Sequence, residues 1–215
     1  MAFKGWPAEA LEFFDGLTAD NSKSYRQEHK QEYDDIVRGP MEELVAELEP
    51  RRGEGKIFRP YRDVRFSKDK SPYKTNIAAI IGDAYVQLSA EGLAAGSGMW
   101  EMASDQLARY REAVDDEGSG KKLVRVIAKA HENGLDIMSH GALKTAPRGY
   151  EKDHPRVELL RYKGLALWQE WPPAAWLGTA KAKDRITTFL RHSKPMVDWL
   201  RANVGASTIP EARRR

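Results

Sequence analysis

The residues best suited to bind a charged ligand lie in the segment Ile57–Thr75, which reads IFRPYRDVRFSKDKSPYKT. From Lys56 to Lys74 the sequence contains seven basic residues and only two acidic ones, and four aromatic residues are interleaved with them. A solvated loop does not need so many aromatic side chains, and a buried strand does not tolerate so many charges. We therefore predict a half-buried polar wall whose charges face a cleft and whose rings face the core.

Alternation along an extended chain places the odd-numbered residues from Arg59 to Arg65 on one face of this segment. Asp63 would then lie between Arg59 and Arg65 on this face, where its carboxylate can hold a guanidinium fork in a fixed direction and leave the remaining N–H groups for an anion. A structural ladder of salt bridges on a strand edge explains the same charges equally well, and Pro60 fits an edge position.

The second half of the segment, residues 67–75, has the composition of a loop. Lys68, Lys70 and Lys74 supply positive charges, and Tyr73 can donate a hydrogen bond or stack on a ring. Such a loop can close over a phosphate or a carboxylate. A solvated surface turn is the alternative, and for Lys68 and Lys70 taken alone it is the better interpretation.

A second polar segment, LKTAPRGYEKDHPRVELLRYK, covers Leu143–Lys163. Its Pro-Arg-Gly-Tyr sequence is typical of a turn and would present Arg148 and Tyr150. Asp153 could cap a helix, and His154 beside it could act as a general acid or base. We favour capping and packing over catalysis for this pair, and one histidine without a second ligand nearby is weak evidence for a metal.

Composition excludes several classes of protein. The 215 residues suffice for one large domain or two small ones, and 41% hydrophobic residues favour a folded chain. The absence of Cys excludes disulfides, thiolate catalysis and Cys-bound zinc or iron–sulfur clusters. A net charge of +3 is too small to indicate a nucleic-acid partner by itself.

Familiar motifs are also missing from the sequence. It contains no G-x-S-x-G, H-E-x-x-H, dinucleotide-binding or EF-hand pattern, so we predict no metal and no cofactor. The N-terminus lacks the apolar core of a signal peptide, and no apolar run reaches the length of a membrane span. We therefore expect a soluble cytoplasmic protein without a membrane partner.

Apolar periodicity predicts the elements that position the two polar segments. An N-terminal helix begins near Pro7, and a second helical stretch with an apolar stripe over residues 25–48 is interrupted at Gly39-Pro40. Three antiparallel strands are predicted at residues 76–82, 85–90 and 93–100, with a hairpin turn at Asp83-Ala84. Residues 104–116 and 121–133 are predicted as helices, 135–152 as mainly loop, and 165–171 as a strand.

The C-terminal part completes the prediction. A short helix is expected from Pro155, and residues 176–204 are mostly helical with a restart at Pro195. We predict an α+β fold with a central antiparallel sheet packed by N- and C-terminal helices. The predicted domain is a single one over residues 1–205, followed by a frayed basic tail over 206–215.

The two polar segments together resemble an uncharacterised protein family known from bacteria and fungi as a domain of unknown function. RDVRFSKDKSPYKT at Arg62–Thr75 and LKTAPRGYEKDHP at Leu143–Pro155 carry the resemblance, which extends to the N-terminal aromatic helix and to Leu159-Leu160-Arg161. The resemblance implies that both segments belong to the family's shared feature, but it implies no activity and no catalytic residue. Family members have a glycine pair before the aromatic residue of the third strand, whereas here Gly96-Ser97-Gly98 precedes Met99-Trp100.

Our main functional hypothesis is that the two polar segments meet in one cleft that binds a small phosphate- or carboxylate-bearing molecule. The candidate proton-transfer residues are Asp63 and His154, and whether any reaction is catalysed stays open. The candidate ligand-binding residues are Arg62, Arg65, Lys68, Lys70, Tyr73, Lys74, Arg111, Arg148 and Tyr150.

Two alternatives remain open at this stage. A nucleic-acid-binding module could use the basic and aromatic residues 56–74 to neutralise a backbone and stack bases, with a stripe continuing to Lys121, Lys122, Arg125 and Lys129. In the second alternative, the motifs form a polar structural core and the helices bind a partner.

Overall fold

The fold is described by a computed structural model that covers residues 2–65 and 68–210. Phe66 and Ser67 of the first polar segment, and residues 211–215 of the predicted tail, lie outside the described residues. The six strands form one antiparallel sheet in the order β1-β2-β3-β4-β6-β5, which confirms the predicted α+β class. The chain forms two compact units, so the single domain over 1–205 stays a prediction.

Unit 1 consists of Met1–Ala95 and Glu170–Thr188, and unit 2 of Gly96–Gln169 and Phe189–Arg215. The strands are β1 (Gly55–Ile57), β2 (Asn76–Ile81), β3 (Ala84–Ser89), β4 (Gly92–Met99), β5 (Asp136–Met138) and β6 (Leu165–Trp171). The helices are α1 (Glu9–Ala19), α2 (Lys23–Glu28), α3 (Lys30–Glu32), α4 (Gly39–Arg52), α5 (Ser104–Asp115), α6 (Glu117–Glu132), α7 (Val157–Arg161) and α8 (Lys181–Asn203). A π-helical turn spans Tyr33–Arg38, and a 3-10 helix spans Ala175–Gly178.

The N-terminal helices of unit 1 follow their sequence signals closely. Ser22 caps α2, because its side chain accepts a hydrogen bond from the backbone N–H of Tyr25. The predicted interruption at Gly39-Pro40 is the point where the π-helical turn ends and α4 begins. Proline is tolerated there, since the first N–H groups of a helix have no partner within the helix.

The strands of unit 1 pair in a meander. β1 pairs with β2 with Ile57 opposite Ala79, and β2 pairs with β3 with Ile81 opposite Ala84. The hairpin turn is therefore Gly82-Asp83, one residue earlier than predicted, and Gly82 adopts a φ of +58°. Along β2, every second residue from Ile77 to Ile81 is buried in the core, and of the two intervening residues on the opposite face Ala78 is also buried whereas Ile80 is 42% exposed.

Unit 2 is built on α5 and α6, with Tyr110, Leu123 and Trp199 in its core. β5 pairs with β6, although residues 135–152 were expected to be mainly loop. A strand of three residues is too short to leave a clear alternation pattern. The predicted restart at Pro195 is wrong, since α8 continues through this residue as one helix.

Residues 204–208 are bound to α5. Asp105 accepts hydrogen bonds from the backbone N–H of Thr208 at 2.8 Å and from the Ser207 hydroxyl at 2.8 Å. These bonds, first among them the one from the Thr208 backbone, hold the pKa of Asp105 well below its usual range. Arg109 donates to the carbonyls of Val204 and Ala206 at 2.6 and 2.8 Å. Residues 206–208 of the predicted tail are thus attached to α5.

Candidate functional site

The first polar segment forms a loop whose two arms pair with each other. The backbone N–H of Phe58 continues the sheet ladder by donating to Ala78 at 2.9 Å. Beyond it, Arg62 donates to the carbonyl of Pro72 at 2.9 Å, and Lys74 donates to the carbonyl of Pro60 at 2.8 Å. The segment therefore leaves the edge of the sheet, turns and returns to β2, rather than running on as one strand.

Asn21 fixes the returning arm of this loop. Its side-chain oxygen accepts from the backbone N–H of Tyr73 at 2.9 Å, and its amide nitrogen donates to the Tyr73 carbonyl at 3.2 Å and to Leu17 at 3.2 Å. Tyr73 itself is only 5% exposed. No sequence pattern singled out Asn21 for this role, because a contact between residues 52 positions apart leaves no local pattern.

Two ion pairs organise the tip of the loop. Asp63 accepts a guanidinium fork from Arg65, one of the two arginines predicted to share its face, at 3.0 Å from Nε and 2.7 Å from Nη2. Asp69 accepts from Nη1 of Arg62 and from the Ser71 hydroxyl and backbone N–H.

These hydrogen bonds fix the protonation state of both carboxylates. The fork from Arg65 lowers the pKa of Asp63 to about 2, and the bonds from Ser71 and then Arg62 lower the pKa of Asp69 to about 2. A carboxylate with so low a pKa is a weak base near neutral pH. The proton-transfer role of Asp63 stays a prediction that these contacts do not favour.

A depression of about 600 Å³ lies beside the loop in unit 1. It is lined by Phe58, Arg62, Asp63, Lys74, Thr75, Asn76, Ala78 and Tyr85. The two arms of the loop provide its charged rim, whereas β2 and β3 contribute residues from the sheet face opposite the core. The charged rim fits the predicted wall, whereas half-buried Phe58, whose ring was expected to face the core, lines the depression.

Lys74 is the cation best placed to meet an anion in this depression, which we call the Lys74 depression. Its ammonium lies 5.3 Å from the centre of the Phe58 ring and, within the described residues, has no carboxylate partner. Burial lowers the pKa of Lys74, and the nearby positive charge of Arg59 lowers it further. A lysine that is partly dehydrated and unpaired binds an anion more strongly than a solvated one.

Three of the predicted cations of the loop, unlike Lys74 and Arg62, lie outside the lining of the depression. Arg65, Lys68 and Lys70 are exposed, and Lys70 donates to the carbonyl of Val64 at 3.0 Å. Their assignment to a ligand site stays a prediction.

In unit 2, Arg111 and Tyr150 lie close enough to influence each other's charge. Burial lowers the pKa of the Arg111 guanidinium, whereas Tyr150 raises it. Burial and the carboxylate of Asp115 raise the pKa of Tyr150, and Arg111 lowers it. Nε of Arg111 also donates to the carbonyl of Leu160 at 3.2 Å, so this side chain fixes the end of α7. Arg148 is exposed in the predicted turn.

His154 uses both ring nitrogens within unit 2. Its Nδ1 accepts from the backbone N–H of Arg156 at 3.0 Å, so the proton of the neutral ring lies on Nε2. Nε2 lies 3.1 Å from an oxygen of Asp115, to which it donates. This geometry fits the structural role that we favoured, and catalysis by His154 stays a prediction. Asp153 does not cap α7, which begins at Val157 without a side-chain cap.

The sequence analysis missed Arg156, whose side chain is among the few buried charges. It donates to the carbonyls of Val114 and Asp115 at 2.6 and 2.7 Å and reaches Glu117 at 3.2 Å. It thereby joins the end of α5 to the beginning of α6.

The two polar segments belong to different units, so their meeting in one cleft stays a prediction. Among the described residues, no group of three or more His, Asp or Glu side chains could hold a metal ion. None of the helices in the described ranges is long and apolar enough to cross a membrane.

Comparison with known proteins gives a family but no activity. No curated protein matches the chain. A solved structure of a conserved hypothetical protein from Pyrococcus furiosus is similar, with 17% identity and a TM-score of 0.35 over 78% of this chain and 96% of that one. The family model described as "Conserved hypothetical protein (DUF2461)" matches residues 9–199. The resemblance stated from the two polar segments is thereby confirmed: this chain belongs to the DUF2461 family.

Proposed function

We propose that the protein binds a small anionic molecule, bearing a phosphate or a carboxylate, in the Lys74 depression. The observation that carries the proposal is the half-buried ammonium of Lys74, which lacks a carboxylate partner in the described part of the chain and lines a depression of about 600 Å³. A partly dehydrated cation is costly without a counter-charge, and a bound anion supplies one.

The neighbouring groups suit the same ligand. Arg62 is held by Asp69 through Nη1, and its Nε and Nη2 have no acceptor within the described ranges. Thr75 and Asn76 add a hydroxyl and an amide at the rim. The rings of Phe58 and Tyr85, 6.3 Å apart, favour a ligand with an apolar or planar part beside its anionic group.

The aromatic residues favour this ligand over a nucleic acid. A stacking surface for bases needs exposed rings. Of the aromatic residues described in the first polar segment, Tyr61 is 55% exposed, whereas Tyr73 is 5% exposed and Phe58 is half-buried. The proposal concerns binding and assigns no reaction.

Lys74→Gln is expected to weaken ligand binding by at least about tenfold, because a hydrogen bond to a charged group contributes about 1.5–3 kcal/mol. The measurement is a thermal-shift panel of phosphorylated and carboxylated metabolites at fixed ionic strength, followed by calorimetric titration of the best binder. The ligand-induced rise in melting temperature should shrink in the variant, while its melting temperature without ligand changes little.

Lys30→Gln is the matched control, since it removes one positive charge from an exposed position in α3. This variant should bind like the natural protein. The proposal is wrong if both variants bind alike, or if no member of the panel raises the melting temperature. Tight binding of random single-stranded DNA that is lost with salt would favour the nucleic-acid alternative instead.

Binding should also weaken as the pH rises through the lowered pKa of Lys74, which lies below its ordinary value of 10.5. Only the protonated ammonium attracts the anion, so affinity is highest below that pKa and falls above it to the level of Lys74→Gln. Lys74→Arg should keep its affinity over the same range, because arginine stays charged to above about pH 12. Titration with a ligand that has no ionisation of its own between about pH 8 and 11 checks this; an identical fall in Lys74→Arg would assign the effect to another group.

A further inference from the structure

A second concave surface lies in unit 2, between α6 and α8. It has a volume of about 420 Å³ and is lined by Lys122, Arg125, Val126, Lys129, His192 and Pro195. We call it the basic groove. It lies apart from the Lys74 depression in sequence and shares no residue with it, so it requires an explanation of its own.

The positive charges of the basic groove repeat with the period of a helix. Lys122, Arg125 and Lys129 are three and four residues apart and therefore lie on one face of α6. No carboxylate lines the groove. Lys129 contacts Glu132 at 2.8 Å in an exposed pair, whereas Lys122 and Arg125 have no acidic partner in the described part of the chain.

The remaining lining of the groove is largely apolar. Val126 of α6 and Pro195 of α8 face it, and Pro195 offers no backbone N–H. His192 is half-buried at the same wall. A surface with an apolar floor between cations is suited to a partner that carries apolar and acidic groups side by side.

We propose that the basic groove binds an acidic amphipathic helix of a partner protein. Carboxylates three and four residues apart on such a helix match the spacing of the three cations on α6, and its apolar stripe covers Val126 and Pro195. A nucleic-acid strand matches less well, because no Phe, Tyr or Trp lines the groove to stack a base.

The test uses a fluorescent synthetic helix with a leucine stripe flanked by glutamates, measured by anisotropy against the full chain. Two further peptides serve as comparisons, one with lysine in place of every glutamate and one with the same residues in scrambled order. The triple variant K122E/R125E/K129E should bind the acidic helix at least about tenfold more weakly, since three exposed charge contacts are reversed.

The control variant K4E/K23E/K30E changes the net charge by the same amount at exposed positions of unit 1. It should bind the acidic helix like the natural protein. Val126→Asn leaves every charge in place and should also weaken binding of the acidic helix. This variant keeps the test decisive if circular dichroism shows that the triple variant is unfolded.

Several results would overturn the proposal. These are absence of binding by the acidic helix, equal binding by the scrambled peptide, and equal losses in the groove and control variants. Tighter binding of random single-stranded DNA or of anionic vesicles, lost in the triple variant, would assign the groove to a nucleic acid or a membrane surface instead.

Discussion

Arg156→Met is expected to lower the melting temperature of the protein by roughly 10 °C. Arg156 is only 7% exposed, and its guanidinium donates to the carbonyls of Val114 and Asp115 at the C-terminal end of α5. A positive charge there also interacts favourably with the helix dipole. Methionine leaves both carbonyls without their donor, at about 1–3 kcal/mol each, and each kcal/mol shifts the melting temperature of a chain of this size by about 2–4 °C.

Circular dichroism melting curves of two companion variants make this result interpretable. Arg191→Met changes an exposed arginine of α8 and should stay within about 0.5 kcal/mol of the natural protein. Arg156→Lys should lie between the two methionine variants, because it keeps the charge but loses the planar fork. Equal melting temperatures for Arg156→Met and Arg191→Met would show that these buried hydrogen bonds contribute no net stability.

Gly82→Ala is expected to destabilise the protein by roughly 3 kcal/mol. Gly82 is the first residue of the two-residue turn between β2 and β3 and has a φ of +58°, which costs an alanine about 1–2 kcal/mol. In addition, a Cβ at this position would overlap the backbone carbonyl oxygen of Arg52 at the end of α4. Since this neighbour is backbone, relief requires a shift of the helix end, which adds about 1–3 kcal/mol.

Two other glycines separate the contributions to this effect. Gly149 has a φ of +91° but open space around its Cβ position, so Gly149→Ala measures backbone strain alone. Gly141 has open space and no such φ, so Gly141→Ala should be nearly neutral. In urea unfolding, Gly82→Ala should be the least stable of the three variants, Gly149→Ala should be intermediate, and Gly141→Ala should be the most stable. If Gly82→Ala costs no more than Gly149→Ala, the overlap with Arg52 contributes nothing.

Local rules were sufficient for the features that depend on neighbours in sequence. The alternation of β3 and the serine cap of α2 were predictable because each is fixed within a few residues. The ion pair between Asp63 and Arg65 belongs to the same class, since residues two apart in an extended chain share a face.

Features that join distant parts of the chain were not predictable from periodicity. Asn21 holds the backbone of Tyr73, and Arg156 holds carbonyls at the end of α5. Side chains that bond to backbone groups recognise no particular partner residue, so the partner's sequence carries no complementary signal. For the same reason, sequence alone could not show that the first polar segment pairs with itself around Tyr61 and Tyr73.

The candidate site was predictable only in part. Charge and aromatic content single out the first polar segment, because such a mixture is unfavourable both in solvent and in a core, and its role in ligand binding stays a prediction. The path of the loop decides which cation lacks a carboxylate partner. Arg62 and Arg65 form ion pairs with acids of the same loop, whereas Lys74 lies beside the ring of Phe58.

The division into two units has a consequence for the order in which the protein folds during synthesis. Neither unit is a continuous stretch, since unit 1 includes Glu170–Thr188 and unit 2 resumes at Phe189. Buried Trp6 donates its backbone N–H to Leu177 at 2.7 Å, and Glu47 pairs with Lys183, so the N-terminal part of unit 1 obtains these partners only after the chain has been synthesised through Lys183. Unit 1 therefore cannot be completed before most of unit 2 has been synthesised, unlike the sequential folding of continuous domains from the N-terminus.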